Sequence, residues 1–190
     1  MKAKEIFSIP NILSYVRILL IPVFIGVYIN AQTPRDYYLA ALIILISGLT
    51  DFADGQIARR FNMITELGKA LDPVADKLTQ AAIVFSLMFR YQGMIFVVVL
   101  FVIKELFMLI NDLVLMRKGK KLGGAMWYGK VSTAVFYVLT FILIAFPEIS
   151  TVWANVLMGV TGFFLLLSFI MYGRVFLQMH REAAEEKKKQ

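Results

Sequence analysis

Six long apolar segments, separated by short polar ones, set the pattern of the sequence. They lie at residues 12–29, 38–58, 72–89, 94–116, 128–146 and 152–177. A helix needs about 20 mostly apolar residues to cross a bilayer, and each segment is close to that length. The pattern predicts an all-α polytopic membrane protein, with six transmembrane helices in one bundle and a single domain over residues 1–190.

Composition supports the bilayer as the solvent. Hydrophobic residues make up 59% of the chain and charged residues 17%, which is too apolar for a soluble domain. There is no cysteine, so disulfides, thiolate nucleophiles and cysteine-ligated metals are excluded. The first apolar segment lacks a cleavage pattern of small residues, so we expect a retained span rather than a signal peptide.

The two ends and the span boundaries carry weaker signals. Residues 1–10 are interpreted as an interfacial segment, with a short amphipathic helix along the headgroups before Pro10. Residues 181–190 are charged throughout, so this tail and the neighbouring His180 are expected to be solvated. Six aromatic residues near span ends are expected to be interface anchors: Tyr37, Tyr38, Tyr91, Trp127, Tyr128 and Trp153.

Basic residues are distributed unequally between alternate connections. When the N-terminus is assigned to the cytoplasm, only Arg35 and Arg90 fall on the opposite side. The positive-inside rule therefore predicts that both termini are cytoplasmic. The net charge of +7 lies mostly on these cytoplasmic segments, which favours anionic lipid headgroups over nucleic acid as partners.

Four aspartates lie beside or within the apolar segments. Asp51 and Asp54 are three residues apart, and Asp72 and Asp76 are four apart, so each pair shares one helix face. A carboxylate in the apolar layer costs a few kcal/mol, so four of them require compensating cations. Oxygen ligands without cysteine suit Mg²⁺ or Mn²⁺, and a pair of such ions can hold a diphosphate during in-line attack.

Small and basic residues accompany the aspartates. Gly55 and Ala58 are predicted to leave a groove for a nucleotide, and Arg59 to reach a phosphate. Gly68 is expected to serve a close helix contact or a turn. Pro73 is expected to favour a helix start at the second aspartate pair.

Two other interpretations of the aspartates stay open. In one, they form salt bridges with neighbouring cations at a helix end, namely Arg59, Arg60, Lys69 and Lys77. In the other, they line the cation pathway of a transporter or channel. The chain is short and shows no internal repeat, which argues against repeat-built transporters.

The same residues resemble the signature of the CDP-alcohol phosphatidyltransferases, D-x2-D-G-x2-A-R-x8-G-x3-D-x3-D. All eight fixed positions match: Asp51, Asp54, Gly55, Ala58, Arg59, Gly68, Asp72 and Asp76. The resemblance also covers Asn11, Ser14 and Arg17 near the start, and Gly129 and Lys130 later. It implies a six-helix bundle with a cytoplasmic active site, and a homodimer.

The resemblance also implies residue roles. The four aspartates would bind two Mg²⁺ or Mn²⁺ ions, and Asp76 would also be the base that deprotonates the acceptor hydroxyl. The CDP group would contact six of the signature residues: Asp51, Asp54, Gly55, Ala58, Arg59 and Gly68.

The acceptor is indicated by basic residues later in the chain. Within the family, the chain is most similar to the branch that joins CDP-diacylglycerol to glycerol 3-phosphate, and Lys104 and Lys130 would hold the acceptor phosphate. Asp112 departs from the arginine that this branch commonly has there. The region 104–133 also resembles cardiolipin synthases, whose acceptor is phosphatidylglycerol. Alternatively, both lysines snorkel to the interface, or Lys104 pairs with Glu105. Arg17 is expected to pair with a carboxylate or with a lipid phosphate.

Overall fold

The structure is a computed structural model that describes residues 7–61, 63–117, 119, 124 and 126–189, with side chains as far as residue 185. The described residues form six helices: α1 (Ile9–Ile29), α2 (Pro34–Arg60), α3 (Glu66–Met88), α4 (Met94–Arg117), α5 (Trp127–Ala145) and α6 (Thr151–Lys189). The predicted all-α polytopic fold is confirmed. Most of the predicted interfacial segment lies outside the described residues, and α1 already begins at Ile9.

Five of these helices are long and apolar enough to cross a membrane. Within the described part of the chain, α3 is the helix that does not meet this criterion, although the sequence predicts a span there. Its first half, residues 66–77, carries five charged side chains: Glu66, Lys69, Asp72, Asp76 and Lys77. The apolar part of α3 is therefore confined to its second half.

Local sequence sets where the helices begin. In α2, Asp36 Oδ2 accepts a hydrogen bond from the Thr33 amide at 2.8 Å, and Pro34 fits the first turn because it needs no amide donor. In α3, Thr65 Oγ1 caps the helix by accepting from the Gly68 amide at 2.9 Å. The expected helix start at Pro73 is therefore wrong, because the Thr65 cap starts α3 at Glu66 and Pro73 lies inside it.

The chain divides into two compact units, and the first contains the described residues of Met1–Gln92 and Thr140–Ser150. In this unit α1 packs against both α2 and α3. One end of the unit is fastened by Arg90, whose Nη2 donates to the Pro147 carbonyl at 2.6 Å. The Arg90 guanidinium also lies 4.5 Å from the centre of the Tyr37 ring.

The second unit contains the described residues of Gly93–Leu139 and Thr151–Gln190. Here α4 packs against α6, and the buried core includes Leu115, Tyr128, Tyr172 and Phe176. A Cβ on Gly129 would collide with the Tyr172 ring, so glycine allows α5 and α6 to approach closely. The prediction that all 190 residues form one bundle and one domain stays a prediction.

Two expectations from the sequence are wrong in this second unit. Tyr128 is not an interface anchor, because its ring is buried against Tyr172 with ring centres 4.8 Å apart. His180 is not simply solvated, since its Nε2 lies 3.0 Å from Asn111 Oδ1. By contrast, Trp127 and Trp153 are exposed, as expected for interface anchors.

Candidate functional site

The two aspartate pairs are carried by consecutive helices. Asp51 and Asp54 lie in the last three turns of α2, and Asp72 and Asp76 lie in the second and third turns of α3. The short connection between these helices brings both pairs to the same end of the first unit. Asp51 is close enough to Asp72 and Asp76 for electrostatic repulsion between their carboxylates, and Asp54 is close enough to Asp72 for the same effect.

Arg17 of α1 joins the first aspartate pair. Its Nη2 donates a hydrogen bond to Asp54 Oδ2 at 2.5 Å, and its Nη1 lies 2.7 Å from Asp51 Oδ1. Arg17 is 2% exposed and the Asp54 side chain 4%, whereas the Asp51 side chain is 55% exposed. Of the two expected partners for Arg17, the structure shows the carboxylates.

Ser14 extends this connection to the second aspartate pair. It lies one turn before Arg17 on α1, and its hydroxyl donates to Asp72 Oδ1 at 2.6 Å. Asp54 Oδ2 is 3.5 Å from the same hydroxyl. One face of α1 therefore contacts carboxylates of both α2 and α3.

The motif did not mark Ser14 as a site residue. The available signal was two polar residues, Ser14 and Arg17, spaced i, i+3 in an otherwise apolar span, which puts them on one helix face. Beyond that spacing, only the packing of α1 against α2 and α3 shows which carboxylates they reach.

Asp76 has a different immediate partner. Gln80, one turn later on α3, donates from Nε2 to Asp76 Oδ2 at 2.9 Å. This hydrogen bond fixes the orientation of the Asp76 carboxylate on α3.

The carboxylates are not arranged as a preformed metal cage. Among the described residues there is no group of three or more His, Asp or Glu side chains in a metal-ligating arrangement. Between Asp51 and Asp54 the compensating charge is instead the Arg17 guanidinium. The donor set itself fits a hard divalent cation, since carboxylate oxygens are the ligands that Mg²⁺ and Mn²⁺ prefer.

The small residues of the motif divide into two kinds. A Cβ on Gly55 would meet only Arg59 Nη2, at 3.6 Å, which leaves room beside the aspartates. Arg59 is exposed in the last turn of α2, and Ala58 is partly buried beside it. Gly68 instead packs closely: a Cβ there would stand 2.7 Å from Asn11 Oδ1. The close helix contact expected at Gly68 is confirmed.

The two lysines considered for the acceptor lie in the second unit. Lys104 of α4 is 5% exposed, and its Nζ is 2.7 Å from Glu105 Oε1. The Lys104–Glu105 pair, which was the alternative to acceptor binding, is therefore present. Lys130 lies in the first turn of α5 and is exposed.

Comparisons with known proteins identify the family of this chain. The CDP-alcohol phosphatidyltransferase family pattern matches residues 7–172, which include α1 to α5 and all four aspartates. A Rickettsia felis protein named CDP-diacylglycerol--glycerol-3-phosphate 3-phosphatidyltransferase is 43% identical over 82 residues. That match covers 43% of this chain and 44% of the relative, so the chain spans less than half the length of the Rickettsia relatives it matches.

Two further relatives match over longer stretches. A Bacillus subtilis protein of the same name is 28% identical over 182 residues, covering 85% of this chain and 91% of the relative. A Streptomyces coelicolor protein named cardiolipin synthase (CMP-forming) is 30% identical over 131 residues, covering 68% of this chain and 61% of the relative. With the family pattern extending over most of its length, this membrane chain belongs to the CDP-alcohol phosphatidyltransferase family.

Proposed function

We propose that this protein transfers the phosphatidyl group of CDP-diacylglycerol to glycerol 3-phosphate, forming phosphatidylglycerophosphate and CMP. The observation that carries the proposal is that Asp51, Asp54 and Asp72 gather around Ser14 and Arg17 of α1, with Asp76 near Asp51. Membership of the family supports the reaction class, and the names of the Rickettsia and Bacillus relatives support this acceptor.

The metal ions belong to the proposal. Asp51, Asp54, Asp72 and Asp76 would hold two Mg²⁺ or Mn²⁺ ions, which when bound neutralise charge on the diphosphate. The room beside Gly55 would admit the CDP group, with Arg59 near its phosphates and Ala58 lining the same surface. Gly68 would contribute to CDP binding through the helix contact that it permits.

A side chain of the protein would take up the proton that the acceptor hydroxyl loses. Asp76 would accept the proton of the acceptor hydroxyl, and the hydroxyl oxygen would then form a bond to the lipid phosphorus. The bond between that phosphorus and the CMP oxygen would break, so CMP leaves with its electron pair. Gln80 would orient Asp76 through the hydrogen bond to Oδ2.

A diacyl donor is supported by the surface beside the site. An apolar groove of about 580 Å³ lies between α1 and α3. On α1 it begins at Ile18, one turn beyond Ser14, and continues past Ile25. An acyl chain attached to a diphosphate near Asp72 would have an apolar surface to lie against.

The acceptor site and the topology are further parts of the proposal. Lys104 and Lys130 would bind the phosphate of glycerol 3-phosphate, because a phosphomonoester needs cationic partners. Both termini and the active site would face the cytoplasm, as the distribution of basic residues indicates. The homodimer stays a prediction.

A second candidate is cardiolipin synthesis with phosphatidylglycerol as acceptor. The specific observation in its favour is the 30% identity to the Streptomyces protein over 68% of this chain. Asp112 also stands where an arginine is common in the glycerol 3-phosphate branch.

One experiment separates the two candidates. Purified protein in vesicles containing CDP-diacylglycerol and Mg²⁺ is given glycerol 3-phosphate or phosphatidylglycerol, and CMP release is measured. We expect release with glycerol 3-phosphate. Release with phosphatidylglycerol alone would favour the second candidate, and no release with either acceptor would contradict both.

A further inference from the structure

Arg17 is a buried cation that is paired with two of the four aspartates, Asp51 and Asp54. It lies in a membrane-spanning helix at 2% exposure and contacts one oxygen of Asp51 and one of Asp54. Removing a charge from water costs several kcal/mol unless an opposite charge compensates it. Arg17 and the two carboxylates therefore depend on each other for their positions.

The guanidinium is held by charge more than by a complete set of hydrogen bonds. Nη2 donates to Asp54, but the buried Nε has no hydrogen-bond partner among the residues that the structure describes. Nη1 is 2.7 Å from Asp51 Oδ1 and forms an ion pair with it, but the N–H is not well directed at that oxygen. A guanidinium carries five N–H donors, and this contact uses only part of them. A divalent cation could therefore replace the guanidinium at these carboxylate oxygens.

We propose that Arg17 is a positioning residue that takes the place of divalent cations between Asp51 and Asp54 and competes with them for the same carboxylate oxygens. It holds the two carboxylates together before ions bind, and it yields part of that contact when they do. The inference rests on the proposed function, because it assigns these carboxylates to the ions.

Two consequences distinguish this role from simple packing. Without Arg17, the carboxylates of the metal-free protein repel one another, so the metal-free protein loses stability and the metal-bound protein loses less. The same change removes a positive charge a few ångströms from the ions, so divalent cations bind more tightly. A residue that only filled space would change stability equally in both states.

The test compares Arg17→Gln with the wild-type full chain in detergent. Mn²⁺ binding is followed by electron paramagnetic resonance, and thermal unfolding is measured in EDTA and in saturating Mn²⁺. We expect the Mn²⁺ dissociation constant to fall about tenfold. We also expect the unfolding midpoint to drop by about 4 °C or more in EDTA, with the gap to wild type narrowing in Mn²⁺.

The matched control is Arg60→Gln, which removes the same charge from an exposed position in the last turn of α2. Its Mn²⁺ affinity should stay within about twofold of wild type, because solvent screens an exposed charge. An unchanged or weaker Mn²⁺ affinity in Arg17→Gln would overturn the inference, as would an equal loss of stability with and without Mn²⁺.

A second variant covers the case in which Arg17→Gln does not fold. Arg17→Lys keeps the charge but, as a point cation, does not contact both carboxylates in the same way. A midpoint below wild type in EDTA that recovers in Mn²⁺ supports the inference, and a constant gap overturns it. If the wild-type protein binds no Mn²⁺, the proposed metal site is wrong. If the wild-type protein binds Mn²⁺ and Arg17→Gln binds it no more tightly, only the inference about Arg17 is wrong.

Discussion

The Asn11 side chain lies against the backbone of Gly68, so that a Cβ on Gly68 would stand 2.7 Å from Asn11 Oδ1. Asn11 Nδ2 also donates to Thr65 Oγ1 at 3.1 Å, the same hydroxyl that caps α3. This contact sets the distance between α1 and the start of α3. Ser14 lies about one turn after Asn11 on α1, and Asp72 lies two turns after Thr65 on α3, so the positions of both depend on this contact.

Gly68→Ala should therefore separate α1 from α3. We expect a loss of about 1 to 3 kcal/mol in the free energy of unfolding, because the added methyl overlaps a buried amide. CMP release should fall as well. Gly48→Ala is the matched control: no neighbouring atom lies within 4 Å of its Cβ position. It should be neutral or stabilising by up to about 1 kcal/mol, and equal behaviour of the two variants in thermal unfolding would contradict this account.

Ser14→Ala should lower turnover with little change in fold. It removes the hydrogen bond to Asp72, and a hydrogen bond to a charged group is worth about 1.5 to 3 kcal/mol. We expect the rate of CMP release to fall about tenfold or more. Thr50→Ala, which removes a hydroxyl that donates to the Ser47 carbonyl, serves as the control. Equal rates in the two variants would show that Ser14 does not position Asp72.

Asp76→Asn should abolish most turnover while nucleotide binding persists. Asparagine keeps an oxygen acceptor for Gln80 but loses the proton-accepting carboxylate, so the rate of CMP release should fall by about 10²- to 10⁴-fold. CDP binding is measured separately by calorimetry. Glu148→Gln, an exposed carboxylate in the first unit, should leave both quantities unchanged. Undiminished turnover would remove Asp76 from the mechanism.

Lys130→Gln tests the acceptor site more cleanly than Lys104→Gln. Lys130 is exposed, whereas replacing Lys104 would leave Glu105 without its buried ion-pair partner. We expect KM for glycerol 3-phosphate to rise about tenfold with KM for CDP-diacylglycerol unchanged. Arg35→Gln is the control for loss of one positive charge. If KM for glycerol 3-phosphate did not change, Lys130 would have no part in binding the acceptor.

Arg90→Ala should weaken the first unit without touching the chemistry. The substitution removes the hydrogen bond of Arg90 to the Pro147 carbonyl and its contact with the Tyr37 ring. Together these contacts contribute about 2 kcal/mol to the free energy of unfolding. The unfolding midpoint in detergent should fall, while CMP release per folded molecule at low temperature stays at the wild-type rate. Arg35→Ala, in the first turn of α2, should leave the midpoint near wild type, and a matching midpoint in Arg90→Ala would refute the fastening role.

Much of the fold was readable from the apolar segments, since five of the six predicted spans match helices to within a few residues, apart from the longer C-terminal end of α6. The start of α3 was not. Pro73 is a familiar signal for a helix start, but the stronger signal was Thr65. Its hydroxyl accepts a hydrogen bond from the Gly68 amide and caps α3 well before Pro73. A cap is a contact between side chain and backbone, and several residue types satisfy it, so the sequence alone did not fix the boundary.

The site was predicted in part for a similar reason. The aspartate spacing gave the two helix faces, but it did not say that Arg17 bridges Asp51 and Asp54, because that contact joins residues 34 and 37 positions apart and depends on how α1 packs. His180 and Tyr128 were misjudged because both lie near polar ends of apolar segments. Only the packing of α4, α5 and α6 shows that Asn111 and Tyr172 contact them.

The uneven make-up of α3 has a consequence for how the protein is made. A segment whose first half carries five charges partitions poorly into hydrocarbon during synthesis. The two preceding helices leave the ribosome earlier, and α1 brings a hydroxyl and a guanidinium that contact the carboxylates of its neighbours. We therefore expect chain order to provide α3 with partners for its charges when it inserts, so that the aspartate cluster is assembled by the first three helices together.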